Sequence, residues 1–266
     1  MTPGSDAIRL WQVHAVHRHT LLMNKVLAMC SAVMHGWAST LYEHGYRVFA
    51  IERSIRVGCR IVVPDIMFLN EEAGHILIID CKGGSNIKPD QDSRYARVSL
   101  TAILEGTRLP CEACLHTFAY AIDETHEERI RAHTDFALIV FGDHVVRGIG
   151  DLGHEPLTRE LQGGVSLDDT VPQFILYPFS INDGDKDIDA YVKRSMQALS
   201  LPLQDKNITV NRATAAMILR NAHPFHVSYA PTHMAELVEA TRLSAGRVLA
   251  SHGVTDRPRS RQDGSR

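Results

Sequence analysis

The stretch from Arg60 to Tyr95 restricts the fold of this chain more than any other, because it holds two apolar runs that each carry an aspartate. The first run, Ile61 to Leu69, is rich in β-branched residues and predicts a strand. Asp65 interrupts it, and a buried carboxylate is unfavourable unless it is paired or binds a cation. Asp65 is therefore expected to have a partner.

The second run, His75 to Lys82, predicts another strand, and the polar residues between the two runs predict a hairpin loop. Pro64 lacks an N–H and suits a bulge or an edge position that would present Asp65. Because side chains alternate along a strand, Asp80 and Lys82 are expected to share one face. Two carboxylates and a lysine would then lie close together.

This set of groups suits the hydrolysis of a phosphodiester. Mg²⁺ prefers oxygen ligands and typically takes one or two carboxylates. Asp65 and Asp80 would bind Mg²⁺ or Mn²⁺, with the carbonyl of Cys81 as a further ligand. The ion would acidify a bound water and stabilise charge on the phosphate. Lys82 would orient or deprotonate that water, or neutralise the phosphate.

The order of these residues resembles a known signature. Pro64-Asp65, followed by Asp80-Cys81-Lys82, is similar to the motif that names the PD-(D/E)xK nuclease superfamily. The resemblance covers about residues 40–145. It implies an α/β, restriction-endonuclease-like fold, in which a mixed sheet is flanked by helices.

A second motif follows shortly after. Gln91 and Tyr95, in the run QDSRY, resemble the Gln-x-x-x-Tyr motif of the RecB-type branch of this superfamily. Residues four apart lie on one face of a helix, so both side chains can point at the same place. The resemblance implies that they position the metal site and bound nucleic acid.

Members of the superfamily often add an acidic residue before the Pro-Asp strand. Tyr46 to Arg53 predicts a strand, and Glu52 in it is the first candidate. Glu43, on the preceding helix, is the alternative, and either can also be a surface glutamate. The catalytic candidates are therefore Asp65, Asp80, Lys82, Glu52, Gln91 and Tyr95.

Each motif also has a purely structural explanation. Pro-Asp is a common turn dipeptide, and a strand that ends in Asp-x-Lys can be a solvated strand end with a weak ion pair. Gln91 and Tyr95 can be a surface residue and a packed aromatic of an ordinary helix.

The 266 residues, 44% of them hydrophobic, suit one large domain with an extension. We predict an N-terminal helical segment at 1–35, a nuclease core at 36–180, a helical extension at 181–252 and a disordered basic tail at 253–266. Such an extension can grip DNA, form a homodimer or cover the sheet, and its sequence does not choose among these roles.

The patterns along the chain predict further elements. The expected helices are 6–44, 91–104, 124–133, 210–222 and 233–251. The expected strands are 115–123, 135–142 and 173–179. Residues 143–170 are expected to be a loose connection or lid, and residues 181–189 an N-capped helix start.

The net charge of −3 does not predict a uniformly basic, nucleic-acid-binding surface. Arg53, Arg56 and Arg60 could still meet a phosphate backbone near the site, or be ordinary loop arginines. The sequence contains no apolar run long enough to span a membrane and no signal peptide pattern, so a cytoplasmic location is expected.

Cysteine and histidine suggest two weaker alternatives. Five cysteines in mostly apolar settings suit a reducing compartment, and the pair Cys111 and Cys114 is either a turn or a redox pair. His14, His17 and His19 cluster on the first predicted helix, where solvated imidazoles are a more common arrangement than a metal site.

The sequence thus predicts a Mg²⁺-dependent nuclease that acts on DNA. The resemblance implies work in recombination, repair, restriction or defence against foreign DNA. The first alternative is a subunit that binds DNA or a partner within a larger complex without cleaving. The second is a redox protein centred on Cys111 and Cys114.

Overall fold

The structure, a computed structural model, describes residues 18–30, 39–84, 87, 89–107, 115–167, 179, 184–199, 201, 210–222 and 225–251. The chain divides into two compact units. The first comprises Met1–Pro178 and Phe225–His233, and the second comprises Phe179–Pro224 and Met234–Arg266.

The strands of the described residues are β1 (Arg47–Ile51), β2 (Ile55–Val57), β3 (Arg60–Val62), β4 (Ile66–Asn70), β5 (His75–Lys82), β6 (Leu115–Asp123), β7 (Ala137–Phe141), β8 (Val145–Ile149) and β9 (Val165–Ser166). Seven of them form one sheet in the order β1-β4-β5-β6-β7-β8-β9, and β2 and β3 form a separate hairpin. β5, β6 and β7 are parallel, whereas the other neighbours in the sheet are antiparallel.

The helices of the described residues are α1 (Arg18–Ala28), α2 (Thr40–Glu43), α3 (Pro89–Tyr95), α4 (Leu100–Leu104), α5 (Glu127–Arg131), α6 (Glu155–Gly163), α7 (Asp185–Ala198), α8 (Arg212–Ala222) and α9 (Pro231–Ser251). Single 3₁₀ turns occur at Glu124–His126 and His226–Ser228. The protein is therefore α/β, with helices around a mixed sheet, as the sequence predicts. No helix among the described residues is long and apolar enough to cross a bilayer.

The most apolar strands lie in the middle of the sheet because both of its faces are covered. Every residue of β7 is buried, and so is every residue of β5 except Lys82. One face packs against Tyr95, Val98 and Ile103, which belong to α3, α4 and the turn between them. α1 packs on β5 and β6. The predicted bounds of β5 and β6 are confirmed.

The strand predicted at 61–69 is wrong in one respect, because the chain breaks at residues 63–65 and forms β3 and β4 instead. Pro64 has no N–H to give to a ladder, which explains the break. Asp65 therefore lies immediately before β4, not inside a strand, yet it is buried.

The helix predicted over 6–44 is also wrong where it can be compared. α1 ends at Ala28, and the Met29 carbonyl accepts a hydrogen bond from the N–H of Tyr42 at 3.0 Å, which one continuous helix over both residues does not allow. Apolar periodicity shows which face is buried but not whether the chain turns back. The end of α2 is as predicted, because Gly45 follows it with a φ of 83°.

Two further predictions need correction. Residues 143–170 contain β8, α6 and β9 rather than a loose connection. The glycines of this segment have two structural roles. Gly148 allows β8 to pack closely on α6, since a Cβ there would lie 3.0 Å from Leu161. Gly164 ends α6 with a φ of 79°. The helix predicted over 91–104 is two helices, because Ser99 caps α4 by accepting from the N–H of Ala102.

The helical predictions for the later part of the chain are confirmed by α7, α8 and α9, although Gly184 at the start of α7 makes no side-chain cap. Within the second unit, Asp189 of α7 accepts hydrogen bonds from Arg247 Nη2 at 2.7 Å and from Ser244 Oγ at 2.6 Å. The strand predicted at 173–179, except Phe179, lies outside the described residues, as do Cys111, Cys114, His14, His17 and the tail.

A buried histidine begins β5. His75 is 2% exposed, with Nδ1 2.7 Å from the hydroxyl of Tyr46 and Nε2 3.1 Å from that of Thr117. Burial, together with the positive charges that His154 and His116 can carry, lowers its pKa to about 4. His75 is therefore neutral in the folded protein at neutral pH.

This pKa predicts a loss of stability in acid. The unfolded chain protonates His75 below about pH 6.5, whereas the folded protein resists until about pH 4, so the stabilisation present above pH 6.5 falls as the pH decreases through this range. Between about pH 7 and pH 4.5 we expect His75 to account for about 2 kcal/mol of lost unfolding free energy. Urea unfolding of the wild type and His75→Gln at both pH values measures it. Equal pH dependence in the two proteins would contradict the prediction.

Candidate functional site

Three acidic residues lie side by side at the ends of three neighbouring strands of the sheet. Glu52 directly follows β1, Asp65 directly precedes β4, and Asp80 lies near the end of β5. The N–H of Glu52 donates to the carbonyl of Asp65 at 2.8 Å. Ile66 pairs with Ile79, so the next positions, Asp65 and Asp80, are neighbours across the two strands. Because β1, β4 and β5 alternate in direction, the end of β1, the start of β4 and the end of β5 lie on the same side of the sheet, and the three residues meet there.

Asp80 is at the centre of a hydrogen-bonded cluster. Tyr95 donates its hydroxyl to Asp80 Oδ1 at 2.8 Å, and Gln91 Nε2 donates to Oδ2 at 3.3 Å. The ammonium of Lys82 forms an ion pair with the same carboxylate and donates to Gln91 Oε1 at 3.0 Å. α3 presents Gln91 and Tyr95 on one face, as their spacing predicts, so the helix motif meets the strand motif.

Asp65 accepts two hydrogen bonds on the same oxygen. The N–H of Cys81 lies 2.5 Å from Asp65 Oδ2, and Nε2 of His19 lies 3.0 Å from it. The sequence predicts a metal contact from the carbonyl of Cys81, but the contact that the structure shows is made by its N–H to the carboxylate. Asp65 thus has the partner that its burial requires.

His19 is a member of the site that sequence reasoning missed. The expectation of a solvated imidazole is wrong for His19, because α1 brings it onto Asp65. Burial opposes its protonation, but the charge and hydrogen bond of Asp65, and the charges of Glu52 and Asp80, raise its pKa to about 9. Helical spacing does not show which strand residue a helix will contact, so no signal in the sequence identifies this pair.

Glu52 is held by a residue from much later in the chain. Its Oε2 lies 2.5 Å from Nε2 of His233, which is 5% exposed. The segment before His233 reaches β1, since Ala230 donates its N–H to the carbonyl of Ile51 at 3.4 Å. Glu52 has a φ of 47°, which is uncommon for any residue but glycine. Such a conformation persists only where its surroundings impose it.

Of the two candidate glutamates, Glu52 is the one that lies beside Asp65 and Asp80. Glu43 is exposed on α2. Gly45, two residues later, packs on Asn70, which lies at the opposite end of β4 from Asp65. Glu43 is therefore remote from the other candidates.

Asp80 is a buried carboxylate that lies next to a second one, Asp65. Burial and the adjacent charge of Asp65 raise the pKa of Asp80 to about 6, although Lys82 and the hydrogen bond from Tyr95 act in the opposite direction. A cation at this position would relieve the repulsion between the two carboxylates.

The residues fit a hard metal ion by chemical type, because carboxylate oxygens are what Mg²⁺ and Mn²⁺ prefer. Asp65 and Asp80 are the residues that would hold it. In the arrangement observed, these oxygens accept hydrogen bonds from protein donors, and no three His, Cys, Asp or Glu side chains in the described parts of the chain converge on one point. Metal binding would therefore require Lys82 to move from Asp80.

The arginines before Asp65 differ in their surroundings. Arg53 donates to the carbonyl of Glu105 at 2.5 Å and lies 5.7 Å from the ring of Phe49. Arg56 and Arg60 are exposed on the β2–β3 hairpin. The latter two are therefore the more accessible to solvent.

Comparison with known proteins adds one family match. A family model described as the MJECL32 domain matches residues 18–144, which run from the start of α1 past the end of β7. Neither the curated proteins nor the solved structures contain a match to this chain. The matched interval contains every member of the site described above except His233.

Proposed function

We propose that this protein is a metal-dependent nuclease that hydrolyses phosphodiester bonds of DNA. The cluster of Asp80, Lys82, Gln91 and Tyr95 beside Asp65 is the observation that carries the proposal. A solvated strand end would leave these groups in water, whereas Asp80 is 6% exposed and Tyr95 is 2% exposed. The resemblance to the PD-(D/E)xK nucleases supports the same function, because Asp80, Lys82, Gln91 and Tyr95 of its two motifs form this cluster and Asp65 lies beside it.

Each residue of the cluster has a role that its position supports. Asp65 and Asp80 would hold Mg²⁺ or Mn²⁺, which supplies an acidified water and stabilises charge on the phosphate. Lys82, once separated from Asp80, would place its ammonium against the phosphate oxygens or the attacking water. Gln91 and Tyr95 orient the carboxylate of Asp80 through their hydrogen bonds.

The β2–β3 hairpin is the proposed contact with nucleic acid. It directly precedes Asp65 and exposes Arg56, Arg60 and Ile61, the last of which is 57% exposed. Arginine side chains position proteins on phosphates without reading sequence. A local contact of this kind is compatible with a net charge of −3.

A non-cleaving subunit is the second candidate, and one observation favours it. Lys82 is paired with Asp80, and His19 contacts Asp65, so the carboxylates already have partners within the protein. A protein that only binds DNA or a partner chain could keep this network closed. It would show no metal-dependent stabilisation.

A cleavage assay tests the proposal. Linear and circular DNA, single- and double-stranded, are incubated with Mg²⁺ or Mn²⁺ and the wild type, Asp80→Asn or Asp90→Asn. Asp90 is an exposed aspartate of α3 and serves as the matched control. We expect Asp80→Asn to lower the cleavage rate by about 100-fold or more. Asp90→Asn should cleave like the wild type.

The outcomes separate the two candidates. Cleavage that is lost only in Asp80→Asn supports the nuclease. Binding of DNA without cleavage of any substrate, with no effect of metal on thermal stability, supports the non-cleaving subunit. Equal cleavage by Asp80→Asn and the wild type would show that the activity lies elsewhere.

A further inference from the structure

A cavity of about 390 Å³ lies beside the candidate site. Lys82 and Gly83, at the end of β5, form part of its wall, and the ends of β6 and β7 contribute Asp123 and Phe141. The cavity is thus outside the carboxyl ends of three parallel strands, where open α/β sheets commonly bind ligands. Because Lys82 also contacts Asp80, a molecule in the cavity would be next to a phosphate held at the site.

The size of the cavity suits one small molecule. Ligand sites commonly measure about 300–1,000 Å³, so this cavity is near the lower end of that range. It has room for a single nucleotide but not for a stacked double helix, which presents its bases only through the grooves. A nucleotide would have to be unpaired to enter.

The charges in the cavity are mixed. Its lining contains the basic residues Arg18, Lys25 and Lys82 and the acidic residues Asp123, Glu124 and Asp143. A channel that follows a nucleic-acid backbone is positively charged along its length. Here three acidic side chains offset the basic ones, so the cavity lacks the positive charge of a channel that follows several phosphates.

Carboxylates can instead accept hydrogen bonds from the amino group of a base, as aspartate and glutamate do with N4 of cytosine. Asp123 Oδ1 already accepts from the N–H and hydroxyl of Thr125 at 3.0 and 2.6 Å. Asp143 is exposed at the end of β7 and is our choice for the acceptor. Lys25 is close to these acids, since burial lowers its pKa while Asp123 and Asp143 act in the opposite direction.

Part of the remaining wall is apolar, beside Thr125 and His126. Leu21 of α1 is the partly exposed member of this wall, whereas Leu22 and Phe141 are buried behind it and Lys25 Nζ lies 5.7 Å from the centre of the Phe141 ring. Apolar and aromatic groups receive the face of any base without regard to sequence. The cavity therefore offers a surface for a base face, a carboxylate for a base edge and cations for one phosphate.

We propose that this cavity binds one unpaired nucleotide of a DNA strand, with its phosphate toward Lys82 and an amino group of its base toward Asp143. The inference rests on the proposed nuclease function and specifies its substrate as a single strand or a frayed end. Cytosine, adenine and guanine carry an exocyclic amino group, whereas thymine and uracil do not. Strands with amino-bearing bases should therefore bind more tightly.

Binding without cleavage tests this proposal. Fluorescence anisotropy in EDTA compares oligodeoxycytidine and oligodeoxyuridine of about six nucleotides, a length within the range that single-strand sites cover. The two bases are both pyrimidines and differ at the amino group. We expect the cytidine strand to bind about 10-fold more tightly to the wild type. Asp143→Asn should reduce this preference to about 2-fold or less.

The controls use the same probes. Asp135→Asn changes an exposed aspartate at the other end of β7 and should keep the full preference. Blunt duplex DNA of the same length should compete at least about 10-fold less well than the cytidine strand, because its bases are paired. Free deoxycytidine monophosphate should also compete at least about 10-fold less well, because it lacks the further phosphates that Arg56 and Arg60 are proposed to contact. Equal competition by the monophosphate would mean that the cavity takes a free nucleotide, which would overturn the assignment to a strand.

Failure of this proposal can be told apart from failure of the nuclease. Metal-dependent cleavage with equal binding of both pyrimidine strands overturns the nucleotide cavity and leaves the nuclease intact. A cytidine preference that is lost only in Asp143→Asn, in a protein that cleaves nothing, supports the cavity and removes the nuclease. Tighter binding of the duplex than of the single strand would also overturn the cavity proposal.

Discussion

Replacing Lys82 with methionine is expected to abolish DNA cleavage, by about 1,000-fold or more, and to enlarge the stabilisation that Mg²⁺ gives to the folded protein. The ammonium of Lys82 is paired with Asp80, and both side chains are almost buried. Under the proposed mechanism, a metal ion would compete with this ammonium for the carboxylate. Removing the lysine removes the competitor along with the proposed catalytic cation, so metal binding and cleavage should change in opposite directions.

Methionine is suitable because it keeps most of the packing. Lys82 Nζ lies 4.9 Å from the centre of the Tyr120 ring, and a thioether can make a similar contact with the ring. Without metal the variant should be less stable than the wild type, since Asp80 then lacks its cationic partner. Added Mg²⁺ should restore part of that loss.

Thermal unfolding with and without Mg²⁺ and single-turnover cleavage measure the two effects. Lys82→Arg is the control, because it keeps a cation beside Asp80 and should not enlarge the stabilisation by Mg²⁺. Undiminished cleavage by Lys82→Met would remove the lysine from the reaction. A smaller metal effect than in the wild type would show that the ion does not compete for Asp80.

Gly83→Ala is expected to destabilise the folded protein and to disturb the site. A Cβ on Gly83 would lie 2.7 Å from the backbone nitrogen of His19 and 3.2 Å from the carbonyl carbon of Arg18. These are backbone atoms of α1, so the first turn of the helix would have to move. We expect a loss of about 1–3 kcal/mol in the free energy of unfolding, as for other overpacked positions.

The same movement would separate His19 from Asp65 and lower any cleavage activity with it. Gly84→Ala is the matched control, because a Cβ on Gly84 would meet nothing within 4 Å. Urea unfolding of the two variants, followed by cleavage assays, measures the difference. Equal stability of Gly83→Ala and Gly84→Ala would contradict the close approach of α1 to this turn.

Much of the fold could be predicted because the signals are local. The apolar residues of β5 and the glycines after it fix the strand and its end, and the apolar run of β6 ends where the acidic residues Asp123 and Glu124 begin. Asp80, Lys82, Gln91 and Tyr95 could be grouped because strand alternation and helical spacing each place two of them on one face. The structure brings the two pairs together.

The remaining features depend on contacts between distant parts of the chain. His19 and His233 look like ordinary helical histidines in the sequence, and only the packing of α1 and the return of residues 225–233 bring them to Asp65 and Glu52. β8 and α6 could not be predicted from the sequence for a different reason. Their glycines serve close packing and a helix end, which cannot be distinguished from a loose loop by composition.

The contact of His233 with Glu52 also bears on when the site becomes complete during synthesis. Chains grow from the N-terminus at about 5–20 residues per second, so His233 follows Lys82 by on the order of ten seconds. Until then Glu52 lacks the imidazole that holds its carboxylate in the folded protein. A nascent chain could thus have the central strands in place while one acidic residue of the row still awaits its final position.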